Sequence, residues 1–70
     1  MVIEITKEEI EELKKNGIEV ETTGMEENDW FEFLDQIRHK EACCVQAGYA
    51  ERARILHYIA NAIEDRVDEA

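Results

Sequence analysis

The sequence predicts an α+β domain in which a short strand–helix–strand unit is followed by an antiparallel helical hairpin. Three features carry this expectation. Alternating β-branched and acidic residues flank one strongly capped helix near the N-terminus. Two longer stretches beyond Asn28 repeat apolar residues at helical spacing, and their stripes fall out of phase across Gly48. The whole chain of 70 residues makes one domain, with residues 1–24 as the acidic β-α-β unit and residues 29–70 as the hairpin.

Residues 2–5, Val-Ile-Glu-Ile, form the first predicted strand. Thr6 then opens a helix over 7–15. With Glu9 three residues on it makes a capping box, and Ile5 and Ile10 are spaced as a hydrophobic staple around the cap. Glu8 and Glu9 in the first turn and Lys14 and Lys15 in the last match the helix dipole, and Asn16-Gly17 supplies a left-handed stop. Ile18-Glu19-Val20-Glu21 alternates again, which predicts a second strand over 18–22. The crossover between the two strands is about the minimum that parallel pairing tolerates.

Asp29, with Glu32 in the box position, is expected to cap a helix over 29–47. On it Trp30, Phe33, Leu34, Ile37, Glu41, Cys44 and Val45 share a sector of about 120°. Beyond Gly48 the pattern resumes as Tyr49, Arg52, Ala53, Leu56, Ala60, Ile63 and Val67, which predicts a following helix over 50–68. In one continuous helix the second stripe would be rotated by roughly 90° from the first. A turn at Gly48 removes the mismatch and sets the stripes face to face; the alternative is a mainly α chain with one long C-terminal helix.

The last helix has a second apolar strip, Ile55, Tyr58, Ile59 and Ala62, which a single hairpin partner leaves uncovered. Either the N-terminal unit or a second copy of the chain is expected to lie on it. A homodimer pairing two hairpins in a four-helix bundle uses those four residues as its interface.

Charge narrows the function. The net charge is −10, and it is uneven: residues 1–35 hold twelve acids against three bases, and residues 36–70 hold six against five. Such a field repels nucleic acid and anionic lipid and favours a basic protein partner. On the predicted sheet Glu4, Glu19 and Glu21 share the outward side at a spacing of ~6.7 Å along each strand, and Glu8 and Glu12 extend the same surface. These five residues are the candidate partner-binding patch.

Chemistry is poorly provided for. The chain has no serine, and its two cysteines, Cys43 and Cys44, are helical neighbours that diverge by roughly 100°, as reduced thiols do. Gly17, Gly24 and Gly48 stand alone and match no phosphate-cradling loop, and His39 and His57 match no zinc spacing. No catalytic set, metal site or cofactor is therefore predicted, nor is an enzyme. With no leader and no apolar run near the ~20 residues that span a bilayer, a soluble cytoplasmic protein is expected.

The preferred reading is a small acidic protein-binding or regulatory module, dimeric, acting through helix faces or its acidic patch. A first alternative is an inhibitor that imitates nucleic-acid charge to block a DNA- or RNA-binding protein, by analogy of size and charge with small acidic proteins of phages and mobile elements. A second is a small-ligand binder at a dimer interface where Arg54, His57, Tyr58 and Cys43 meet.

Overall fold

Thr6 begins the first helix through local chemistry alone. Its hydroxyl accepts from the Glu9 N–H at 3.2 Å, while Glu9 Oε1 accepts from the Thr6 N–H at 2.8 Å. Two of the backbone donors that every helix start leaves open are satisfied in this way. The computed structural model, which describes residues 2–70, places this helix, α1, at Lys7–Lys15. Its far end closes on Gly17, at φ 77°: Gly17 N–H donates to the Lys14 carbonyl and Ile18 N–H to that of Leu13, each at 3.0 Å. Leu13 and Ile18, brought together by that closure, are both buried.

Helix α2 spans Glu27–Ala47 and helix α3 spans Ala50–Glu69. The start of α2 corrects the expectation of 29–47. Asp29 does not precede the helix; it stands in the first turn and reaches back, its Oδ2 accepting from the Glu26 N–H at 2.9 Å. The capping chemistry was in the right place, read from the wrong side. Between α2 and α3 the chain turns at Gly48, φ 86°, and repeats the closure of α1: Gly48 N–H donates to Val45 and Tyr49 N–H to Cys44. A side chain with a Cβ is strained at such a φ. The two helices are thus a hairpin and not one continuous rod.

The larger correction concerns the N-terminal unit. The described residues form three helices and contain no strand, so the fold is all-helical and not α+β. Met1, the first residue of the predicted unit, lies outside the described residues. Residues 2–5 and 18–22 sit at opposite ends of α1. Val2, Ile3 and Glu4 share a groove with Arg66, Glu69 and Ala70 at the end of α3, whereas Ile18 to Glu21 lie beside Lys14 and Gly17. Neither segment finds a strand to bond.

The alternation that suggested strands nevertheless has a physical origin. Ile3 and Ile18 are buried, Ile5 and Val20 are half-buried against the core, and Glu4, Glu19 and Glu21 between them are exposed. An extended chain laid on an apolar surface shows the same period of two as a half-buried strand.

The contacts of α1 fix the topology. Glu9 near its start meets Arg66 of α3, Glu8 and Glu12 lie by Ile55 and Tyr58, and Lys15 and Gly17 at its end lie by Tyr49 and Arg52. Helix α1 therefore runs antiparallel to α3, and residues 18–26 return along the molecule to start α2. The core is the α2–α3 seam, with Trp30, Ile37, Leu56 and Ile63 fully buried, closed on one flank by Leu13 of α1. Val45 and Tyr49, assigned to the stripes by spacing, are exposed because they lie at the turn, beyond the reach of the facing helix. No helix among the described residues is long and apolar enough to cross a membrane.

Candidate functional site

The docking of α1 on α3 leaves a groove between them. Residues one turn apart lie on one face of a helix, so Glu8 and Glu12 project from α1 along one wall. From α3, Ile55, Tyr58 and Ile59 form the floor and the opposite wall, with Arg54 at the rim; the volume is about 260 Å³. The solvent-facing surface of this groove is apolar. Tyr58 is 74% exposed, the largest aromatic surface that the molecule presents.

Glu9 anchors the α1 wall. Beyond its cap bond to Thr6, its two carboxylate oxygens accept from Arg66 Nη1 at 2.7 Å and Nη2 at 3.1 Å, and the same Nη1 also donates to the Glu4 carbonyl at 3.1 Å. A bidentate guanidinium–carboxylate pair fixes geometry as well as charge. Burial pushes the Glu9 carboxyl up, but the bonds from Arg66 and Thr6 outweigh it and hold it below the ordinary carboxylate range; the carboxylate in turn holds Arg66 above its ordinary value.

A pH dependence follows. The folded-state value of Glu9 lies below the unfolded one, so the pair's contribution is fully present above about pH 4.5 and is lost as pH falls through the folded value. Arg66 is a third exposed, which limits that contribution to about 1 kcal/mol. In urea unfolding between pH 3 and 7, the difference in stability between the native chain and Arg66→Gln is expected to be largest at neutral pH and to shrink as pH falls below about 4.5, leaving the part due to the Glu4 carbonyl bond. A pH-independent difference would show that Arg66 acts by packing alone.

The five acidic residues predicted as one patch are not brought together. Glu8 and Glu12 line the groove, Glu4 lies at the end of α3, and Glu19 and Glu21 lie past the end of α1. Without a sheet, the row of carboxylates along its face does not exist. Of the four apolar residues predicted as an oligomer interface, Ile55, Tyr58 and Ile59 reach the groove, and Ala62 borders the next one with His57, Asn61 and Asp65. Ile59 is 6% exposed because α1 of the same chain covers it. The flank expected to be covered by the N-terminal unit or a second copy is thus covered at Ile59 by α1 and left open at Tyr58.

The residues suggested for a ligand site separate as well. His57 Nδ1 lies 3.3 Å from Glu41 Oε1 and its Nε2 lies 3.2 Å from Asn61 Nδ2, which ties α3 to α2. Cys43 Sγ lies 3.8 Å from His39 Nε2 on α2 and opens toward the hairpin turn, away from Arg54 and Tyr58. Among the described residues no group of three or more His, Cys, Asp or Glu side chains is disposed to hold a metal ion.

Of the two expected covers of the α3 strip, the N-terminal unit and a second copy, the structure places the first there, through α1. The signal available was the i, i+4 pair Glu8–Glu12 on the one helix and the uncovered strip on the other. Compared with protein-family models, with curated proteins and with solved structures, the chain has no match.

Proposed function

We propose that this chain is a protein-binding module that receives the apolar face of a basic amphipathic helix in the α1–α3 groove. The observation that carries the reading is an apolar groove over Ile55 and Tyr58 that is bordered on the α1 side by the acidic residues Glu8 and Glu12. Helix-in-groove recognition uses apolar anchors one turn apart for affinity and flanking charges for orientation and rate. On a chain of net charge −10, the complementary partner is cationic.

A synthetic 18-residue Leu/Lys amphipathic helix serves as the probe, with a scrambled peptide of the same composition as control, and binding is followed by fluorescence anisotropy. The amphipathic peptide is expected to bind more tightly than the scrambled one. Ile55→Glu and the pair Glu8→Lys, Glu12→Lys are each expected to weaken it by at least about tenfold. Binding that falls with salt yet ignores Ile55→Glu would favour charge imitation of nucleic acid over the groove. Concentration-dependent dimerisation that Ile55→Glu abolishes would make a second copy of the chain the occupant.

A further inference from the structure

At the hairpin turn the three helices bring together a second concavity of opposite character. Lys15 of α1, Lys40 of α2 and Arg52 of α3 line one cavity of about 390 Å³, together with Cys43 and Tyr49, and no carboxylate lines it. The grooves described elsewhere on the surface each present at least one acid: Glu4 and Glu69, Glu8 and Glu12, Glu19 and Glu21, or Asp65. In a chain with 18 acids and 8 lysines and arginines, this one cavity is lined by three cations from three separate elements and by no acid. Among the described residues Lys40 and Arg52 have no carboxylate partner, and Lys15 has only a solvent-exposed contact with Glu12 at 3.5 Å.

Ordinary helix electrostatics accounts for one of the three. Lys15 ends α1, where a cation complements the dipole. Lys40 stands two turns before the end of α2, and Arg52 stands in the first turn of α3, where the dipole disfavours a cation. Arg52 is held there over the ring of Tyr49, its guanidinium carbon 5.1 Å from the ring centroid. Two carbonyls at each of the helix ends that would oppose an anion are satisfied: Lys14 accepts from Gly17, Leu13 from Ile18, Val45 from Gly48 and Cys44 from Tyr49.

We infer that this cavity binds a phosphate group, free or carried as a monoester on a small molecule, between Lys15, Lys40 and Arg52. Lysine and arginine side chains lining one cavity suit a compact dianion better than a single carboxylate. The site lies at the turn end of the hairpin and is independent of the α1–α3 groove.

The test titrates the folded chain with inorganic phosphate and, separately, with phenyl phosphate, at ionic strength held constant with chloride, and follows backbone amide shifts by NMR. Saturable shifts centred on Lys40, Cys43 and Arg52 are expected; tighter binding of phenyl phosphate assigns the site to a monoester, and equal binding to free phosphate. The double variant Lys40→Gln, Arg52→Gln, checked for folding by circular dichroism, is expected to weaken binding at least about tenfold.

Cys43 gives a second readout, because it is exposed in the cavity whereas Cys44 is buried. Its thiolate sulfur displaces iodide from either iodoacetate or iodoacetamide, forming a thioether. The rate ratio of the anionic to the neutral reagent should exceed that of the unfolded chain, and it should fall with phosphate and in the double variant. Shifts that grow linearly, match those of added chloride or survive in the double variant would overturn the site. So would an alkylation ratio equal to that of the unfolded chain.

Discussion

Trp30→Ala is expected to unfold most of the molecule at room temperature, while Trp30→Phe leaves it folded. Trp30 is fully buried at the start of α2 and packs edge-to-face on Phe33, with ring centroids 5.9 Å apart. Truncating a buried tryptophan to alanine costs about 3–5 kcal/mol, as much as one core contributes to a domain below 70–80 residues. Phenylalanine removes part of the same ring, but it also removes a liability: the indole Nε1–H is buried without a hydrogen-bond partner. An unsatisfied buried donor costs about 1–3 kcal/mol, so its removal offsets much of the lost packing. Urea unfolding followed at 222 nm should place the phenylalanine variant within about 1 kcal/mol of the native chain. Equal damage from both substitutions would mean that ring shape alone decides.

The second large effect is expected at Leu13. This residue is fully buried and is the main apolar anchor by which α1 holds to the hairpin. Leu13→Asp places a carboxylate in that seam, which cannot be tolerated, so α1 should detach. A free helix of nine residues is too short to persist in water, and detachment should therefore appear as a loss of helix signal as well as of contact. The α2–α3 hairpin keeps its own seam, with Ile37, Leu56 and Ile63. Hydrogen exchange should thus show α1 open and the middle of α2 and α3 still protected, and the Leu/Lys peptide should no longer bind. The milder Leu13→Ala should cost about 2–5 kcal/mol, enough to unfold part of the population, without placing a charge in the seam. Loss of all three helices together on Leu13→Asp would show that the hairpin does not stand alone.

What could be read from the sequence was whatever is decided within a few residues. The caps at Thr6–Glu9, Asn16-Gly17 and Gly48 are local, and each stands where its residues put it. The start of α2 slipped by two positions because glutamate is a poor helix-capping residue, whereas Asp29 is a good one that here works from inside the helix. The strands failed for a different reason. Alternation reports which side chains are covered, and it is silent on whether a neighbouring backbone supplies the hydrogen bonds. In the same way the sequence leaves open whether the N-terminal unit or a second copy covers the α3 strip, because the choice depends on pairs such as Glu9 and Arg66, far apart in the chain and joined only by the docking of α1.

The extended segments on either side of α1 have a bearing on how the protein behaves when crowded with its own copies. Between Glu19 and Glu21 the backbone makes no hydrogen bond to the described residues, so its donors and acceptors are left to water. β-Branched residues with open backbone groups are what edge-to-edge association between chains exploits. Here Glu4, Glu19 and Glu21 are interleaved with the isoleucines and valines and face outward. Stacking such segments in register would set like charges about 4.8 Å apart at every added layer. Like charges at that spacing repel, so the three carboxylates oppose stacking of the open stretches.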